Sequence, residues 1–108
     1  MKLARIILFA RDLKRLTVFY RDGIGLPVKH EEKGWVELDA GGCILALHQG
    51  KGIKGTTKLA FGSKDVSKTC EQLASRGVLL GKIKDFGGLV LCDGCDPEGN
   101  RIQISNRV

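Results

Sequence analysis

The feature that most constrains this chain is an internal repeat. Asp12-Leu13 and Asp65-Val66 lie 53 residues apart, and each pair places an N-cap residue at the start of a predicted helix. In both halves a strand precedes the helix and short strands follow it. Two copies are too few for a solenoid. We therefore predict one domain over residues 1–108, made of module one (1–49), a linker (50–56) and module two (57–108).

The periodicity of apolar residues predicts the order βαβββ in each module, and hence an α+β fold. In module one it predicts a strand at Lys2–Ala10, a helix at Leu13–Asp22 and strands at Pro27–Glu31, Trp35–Leu38 and Cys43–His48. In module two it predicts a strand at Lys58–Gly62, a helix from Asp65 to Gly77, and strands at Val78–Ile83, Gly88–Cys92 and Arg101–Ser105. Glycine-rich turns separate the strands.

The linker contains a glycine pattern, G-x-G-x-x-G, from Gly50 to Gly55. In dinucleotide-binding proteins this loop follows a strand and opens a helix. Here a second predicted strand, Lys58–Gly62, follows the glycines. We therefore interpret the segment as a flexible linker and not as a phosphate-binding loop.

A dense turn sequence, Asp96-Pro97-Glu98-Gly99-Asn100, precedes the last predicted strand. Pro97 favours the first central position of a turn, Gly99 can adopt a positive φ, and Asp96 and Asn100 can bond to their own backbone. The strand that follows alternates Ile102 and Ile104 with a polar set on its other face, which comprises Arg101, Gln103 and Ser105. Such a polar face is unusual in a strand that is expected to be central in its sheet.

Charge and composition exclude several classes of function. The net charge is +6, but the basic residues are scattered and the chain has few aromatic residues, so we predict no nucleic-acid partner. No apolar run has the length of a membrane span or a signal peptide, so we predict a cytoplasmic protein without a membrane partner. An anionic small ligand is compatible with the positive charge.

The four cysteines are predicted to be reduced thiols. Cys43 and Cys70 lie in apolar patterns and are expected in the core. Cys92-Asp93-Gly94-Cys95 spells C-x-x-C, but a zinc site needs a second pair and a redox motif lies at a helix N-terminus. This motif is predicted to lie between strands, so we assign it no function.

The βαβββ repeat, with Phe19-Tyr20 and Gly25-Leu26 at the end of the first helix and the D-P-E-G-N turn before the last strand, resembles the vicinal oxygen chelate superfamily. That superfamily includes glyoxalases, extradiol dioxygenases and bleomycin-resistance proteins. The resemblance implies a cup-shaped mixed sheet with the helices outside and a ligand site within. It also implies a homodimer, with the modules paired within a chain or across the dimer. The superfamily hosts many unrelated activities, so the fold does not define the function.

The resemblance also implies where a metal would bind. The metalloenzymes of the superfamily take ligands at positions that fall here on Arg5, Ala46, Lys58 and Gln103. Arginine has no acceptor, and lysine has none while protonated, so we expect no metal cofactor. An alternative ligand set, Glu37, His48 and Gln103, would hold Zn, Ni, Mn or Fe in a glyoxalase- or dioxygenase-type enzyme. A third possibility is metal-free acid–base catalysis by Glu37 or His48.

The function that we favour from the sequence is metal-free binding of a small anionic or partly apolar molecule, in the manner of the bleomycin-resistance branch. Arg5 and Lys58 would give the ligand site a positive charge. Apolar side chains around them, together with polar groups, would give the site its specificity. Whether the protein is an enzyme stays open at this stage. The predicted ligand-binding residues are Arg5, Ile7, Phe9, Trp35, Glu37, His48, Lys58 and Gln103.

Overall fold

A computed structural model of the chain describes residues 5–52 and 57–107. The backbone divides into two compact units, Met1–Ile53 and Lys54–Val108. Each unit contains a four-stranded mixed sheet and one helical segment, in the same order along the chain. The predicted α+β class and its two βαβββ modules are therefore confirmed. The beginning of the predicted first strand and most of the predicted linker lie outside the described residues.

The first unit contains β1 (Arg5–Ala10), α1 (Leu13–Val18), β2 (Val28–Glu32), β3 (Trp35–Asp39) and β4 (Ile44–Gln49). The strand order is β1-β4-β3-β2, with β1 parallel to β4 and the other neighbours antiparallel. The Asp12 carboxylate accepts a hydrogen bond from the Arg15 N–H, as expected for an N-cap. The helix then continues as a π-helical segment, Phe19–Ile24, and ends where Gly25 has a φ of +94°. The prediction of one α-helix to Asp22 missed this change of winding.

The core of the first unit lies between its sheet and α1. Leu16 and Tyr20 from the helical segment are fully buried. They are accompanied by one face of the sheet, in which the buried side chains are Leu8, Ala10, Val36, Leu38, Leu45 and Leu47. Alternation along each strand then leaves the other face of the sheet turned away from α1.

The second unit contains β5 (Lys58–Gly62), α2 (Val66–Ser75), β6 (Lys84–Phe86), β7 (Leu89–Cys95) and β8 (Arg101–Ser105). Its strand order, β5-β8-β7-β6, repeats that of the first unit, with the same single parallel pair at β5 and β8. α2 packs on β7 and β8, and the buried side chains of the unit include Val66, Leu73, Ile102 and Ile104. In the part of the chain that the structure describes, no helix is long and apolar enough to span a membrane.

The predicted strand at Val78–Ile83 is wrong. Gly77 has a φ of +84°, and the Val78 N–H bonds back to the Leu73 carbonyl, so these residues close the C-terminus of α2. Val78 is buried, whereas Leu79 is 79% exposed. Regular pairing begins only at β6, opposite Leu89–Leu91. The apolar run here therefore anchors a loop after the helix.

The predicted position of the C-x-x-C motif between two strands is also wrong. β7 extends to Cys95, because Asp93, Gly94 and Cys95 pair with Gln103, Ile102 and Arg101 of β8. Cys92 is fully buried and Cys95 is exposed. The expectation that Cys43 and Cys70 are core residues is only partly met, since both are partly exposed. The most buried thiol is one that the pattern of apolar residues did not select.

Candidate functional site

The open face of the first unit, defined as the sheet face turned away from α1, carries six of the predicted ligand-binding residues. Strand register arranges them in rows, because Phe9 and Trp35 both lie beside His48, and Ile7 and Glu37 both lie beside Ala46. Ile7 and Phe9 are 45% and 46% exposed, which is unusual for large apolar side chains in a sheet. The full predicted set on this face is Arg5, Ile7, Phe9, Trp35, Glu37 and His48.

An aromatic cluster forms one row of this face. The His48 ring lies between Phe9 and Trp35, with ring centroids 5.5 Å and 5.3 Å away. Gly50 and Gly52 pass against Phe9, and a Cβ built on Gly52 would lie 3.0 Å from the Phe9 Cβ. The absence of side chains at these glycines lets the backbone approach the ring closely. The row therefore presents a partly exposed aromatic surface.

A polar group lies next to the aromatic row. The Glu37 carboxylate accepts a hydrogen bond from the Trp35 indole N–H at 3.0 Å. The Arg5 guanidinium lies 3.9 Å from the same carboxylate oxygen, at the outer limit of an ion pair. Glu37 thus orients the indole ring and offsets the charge of Arg5. This arrangement reduces the positive charge that Arg5 was predicted to offer a ligand.

We define the open face of the second unit as the sheet face turned away from α2. It carries the other two predicted ligand-binding residues, Lys58 and Gln103. The Asp93 carboxylate oxygen Oδ1 lies 3.0 Å from the Lys58 ammonium and accepts a hydrogen bond from the Gln103 amide at 3.1 Å. Arg101 lies beside Lys58 in the strand register and is exposed. Within the described part of the chain, no ion pair involves Arg101.

The environment of Asp93 favours its ionised form. Partial desolvation opposes ionisation, but the hydrogen bonds from Lys58 and Gln103 and the charges of Lys58 and Lys84 outweigh it. The pKa of Asp93 therefore lies below its usual range. Lys58, Lys84 and Arg101 together outnumber this carboxylate, so the open face of the second unit keeps a net positive charge.

The same ion-pair arrangement occurs in both units. Each unit joins a cation on its first strand to a carboxylate two strands away, diagonally across its last strand. In the first unit the pair is Arg5 and Glu37, and the last strand places Ile44 beside Arg5 and Ala46 beside Glu37. In the second unit the pair is Lys58 and Asp93, and the last strand places Arg101 beside Lys58 and Gln103 beside Asp93. The sequence did not predict Asp93, because the repeat spacing of 57 at Asp39 and Asp96 places Glu37 on Gly94, and only the strand register makes Asp93 its counterpart.

The residues at the superfamily's metal positions do not fit a divalent cation. Arg5 and Lys58 supply positive charge instead of lone pairs, and Ala46 has no donor atom. The Gln103 amide is held as a donor to Asp93. Among residues 5–52 and 57–107, no group of three or more His, Cys, Asp and Glu side chains could hold a metal ion. We therefore derive no chemical step through a metal.

A separate groove of about 480 Å³ lies on the α1 side of the first unit. Its lining includes Lys14, Arg21, Glu31 and Val36, and it contains none of the predicted ligand-binding residues. Arg21 is engaged by Asp22 through two hydrogen bonds of 2.8 and 2.9 Å. The groove is therefore distinct from the open face.

The repeated βαβββ unit, with one open sheet face in each copy, is typical of one class of protein. A profile of the Glyoxalase/Bleomycin resistance protein/Dioxygenase superfamily matches residues 2–104. The chain belongs to this superfamily, as the sequence resemblance predicted. No curated protein matches the chain significantly.

Solved structures of low sequence identity share the fold. The antibiotic-binding protein TnmS3 from Streptomyces sp. CB03234 is 20% identical with a TM-score of 0.84, over 97% of this chain and 94% of that chain. The lactoylglutathione lyase from Agrobacterium tumefaciens is 20% identical with a TM-score of 0.81, over 96% of this chain and 92% of that chain. A glyoxalase/bleomycin resistance protein/dioxygenase from Nocardioides is 17% identical with a TM-score of 0.84, over 97% and 82% of the two chains. These likenesses concern the fold alone.

Proposed function

We propose that the protein binds a small organic molecule without a resident metal. The observation that carries this proposal is the repeated ion pair, because each unit places a cation where the superfamily's metalloenzymes place a ligand. A metal at either position would meet a positive charge that is already engaged by a carboxylate. The likeness to an antibiotic-binding protein is compatible with a binding function, and the likeness to a lactoylglutathione lyase adds no ligand set to this chain.

The open face of the first unit suits an apolar or aromatic group. Phe9, His48 and Trp35 offer partly exposed rings, and Ile7 extends the apolar surface beside them. Ring contacts of this kind contribute roughly 0.5–1.5 kcal/mol beyond the area that they bury. Arg5 contributes little free charge, because Glu37 lies beside it. Aromatic contact is therefore the recognition that we assign to this face.

The open face of the second unit suits an anionic group. Lys58 and Arg101 lie on paired positions, and only the former is neutralised by Asp93. An arginine that is free to form two parallel hydrogen bonds favours a carboxylate or a phosphate. We assign anion recognition to Arg101 together with Lys58, so Arg101 replaces Arg5 in the pair that the sequence predicted.

The experiment uses Trp35, the single tryptophan of the chain, as a reporter. Metal-stripped protein is titrated with 2-naphthoate, with neutral naphthalene-2-carboxamide and with inorganic phosphate, while tryptophan fluorescence and heat are recorded. We expect both naphthalene compounds to change the fluorescence, because they bind the aromatic row of the first unit, and we expect phosphate binding to the second unit to be detected as heat. Arg101→Gln should weaken phosphate binding roughly 10-fold, the effect of about 1.4 kcal/mol, and leave the binding of the neutral amide unchanged.

Two variants control this experiment. Lys33→Gln removes an exposed cation from the turn between β2 and β3 and should leave phosphate binding unchanged. Phe9→Ala should weaken the binding of both aromatic probes. If no aromatic probe binds, the recognition assigned to the first unit is wrong, and if Lys33→Gln weakens phosphate binding as much as Arg101→Gln does, the recognition assigned to the second unit is wrong. A homodimer, a cytoplasmic location and the lack of a nucleic-acid partner stay predictions from the sequence.

A further inference from the structure

Two cysteine thiols meet inside the second unit, where α2 packs on the sheet. Cys70 lies on α2 and Cys92 lies on β7, and their Sγ atoms are 2.8 Å apart. Both are free thiols in the structure. A disulfide needs a separation of about 2.05 Å between the sulfurs, so a movement of less than about 1 Å would bring these two to bonding distance. The contact lies within one compact unit and depends on no other part of the chain.

The other two cysteines are placed differently. Cys95 is three residues beyond Cys92 on the same strand, so its side chain points to the opposite face of the sheet. It therefore cannot pair with Cys92 while β7 remains a strand. Cys43 belongs to the first unit. The geometry thus selects Cys70 and Cys92, and not the C-x-x-C motif, as the pair able to form a disulfide.

We propose that Cys70 and Cys92 form a reversible disulfide by exchange with a small-molecule disulfide of the glutathione type. The Cys70 thiolate attacks one sulfur of the small disulfide, which forms a mixed disulfide and releases one thiolate. Cys92 then gives up its proton and its thiolate attacks the Cys70 sulfur, which forms the internal S–S bond and expels the second small-molecule thiolate, which takes up a proton. The two protein thiols lose two electrons and two protons, and the small disulfide leaves as two thiols.

The order of these steps follows from the exposure of the two sulfurs. Cys70 is partly exposed and can meet a solution disulfide, whereas Cys92 is fully buried. Burial, together with the neighbouring Cys70 sulfur, raises the pKa of Cys92 to about 12. Cys92 is therefore a protonated thiol at neutral pH and acts second, when the mixed disulfide lies beside it.

The cross-link has a structural consequence. It joins α2 to β7 across 22 residues of chain, and β7 also carries Asp93 of the open face. Closing a loop of this length restricts the unfolded chain and raises the melting temperature, by something on the order of 10 °C for a domain of this size. This inference does not rest on the proposed ligand, and its failure would leave the binding experiment unaffected.

The test uses the full chain with Cys43→Ser and Cys95→Ser, so that only the proposed pair remains. After incubation with oxidised glutathione, we expect the monomer mass to fall by two hydrogens. A peptide map should contain a cross-linked pair with Cys70 and Cys92, and the melting temperature should rise. Dithiothreitol should reverse all three changes.

Two further variants keep the proposal falsifiable. Cys92→Ala in the same background should trap Cys70 as a stable mixed disulfide with glutathione, which shows that Cys70 reacts first. Cys70→Ser should leave Cys92 unmodified in the folded protein. The proposal is overturned if the folded two-cysteine protein keeps both thiols free while the denatured chain is oxidised. It is also overturned if wild-type protein forms the Cys92–Cys95 pair instead.

Discussion

At the scale of single residues, Asp96 shows how a short polar sequence builds a buried turn. Its Oδ1 accepts hydrogen bonds from the backbone N–H groups of Glu98 and Asn100, both at 2.9 Å, and its Oδ2 accepts one from the Asn100 amide at 2.8 Å. Gly99 supplies a φ of +85°. Asp96 and Asn100 are only 5% and 7% exposed. The turn therefore satisfies its own buried polar groups and brings β8 back beside β7.

Replacing Asp96 should be costly for that reason. Asp96→Ala leaves buried N–H donors without an acceptor, and we expect a loss of about 2–3 kcal/mol in the free energy of unfolding. Asp85→Ala is a matched control, because the Asp85 carboxylate accepts one bond from the Gly88 N–H at an exposed hairpin. The control should lose less than about 1 kcal/mol. Urea unfolding measures both variants, and equal losses would contradict the role given to Asp96.

At the scale of elements, each ion pair connects an edge strand, β1 or β5, to the strand two positions away, β3 or β7. Lys58 and Asp93 are 3.0 Å apart, whereas Arg5 and Glu37 are 3.9 Å apart. All four side chains are partly exposed, so each pair is screened by solvent. The shorter pair is also supported by Gln103. We therefore expect the second unit to gain more from its pair than the first unit does.

Double-mutant cycles measure this difference. The cycle of Lys58→Met with Asp93→Asn should give a coupling energy of about 0.5–1 kcal/mol, as for partly exposed pairs. The cycle of Arg5→Met with Glu37→Gln should give a smaller value, because its separation is larger. A larger coupling in the first unit would contradict this ranking of the two pairs.

The pair in the second unit should also depend on pH. The pKa of Asp93 is lower in the folded protein than in the unfolded chain, where it is about 3.9. The carboxylate therefore contributes stability above about pH 4, and this contribution is lost as the pH falls through the folded pKa. Asp93→Asn should be less stable than wild type at pH 7, and the two should converge in acid. Unfolding measured across this range checks the sign, and a difference that persists unchanged in acid would contradict it.

At the scale of the whole molecule, the fold should not depend on a metal. Each unit has its own apolar core, and the superfamily's ligand positions carry Arg5, Ala46, Lys58 and Gln103. A metal at about 100 times its dissociation constant would add about 2.7 kcal/mol of stability. We expect the melting temperature to stay constant after dialysis against EDTA and after addition of excess Mn²⁺. A saturable rise with Mn²⁺, with metal retained after gel filtration, would instead support the metalloenzyme alternative.

Much of the fold was predictable because its signals are local. Asp12 and Asp65 cap helices, Gly25 ends the first helical segment, and the bounds of β5 and β8 match the prediction. The prediction of a strand at Val78–Ile83 failed because this apolar run belongs to a loop. Val78 and Leu80 resemble a strand, but Gly77 and the helix C-terminus determine their backbone. The sequence pattern also did not show that β7 extends to Cys95. Its last residues are polar or small, and they form strand pairs because β8 lies opposite them.

By itself, the sequence determined the repeat, the α+β class, the superfamily and the two faces of β8. These properties follow from a period of two along a strand and from capping residues beside the helices. Tertiary structure alone decided that Asp93 holds Lys58 and Gln103, and that Cys92 meets Cys70 and not Cys95. Such pairings join residues that are far apart in sequence. They depend on strand register and on helix–sheet packing, which local periodicity does not encode.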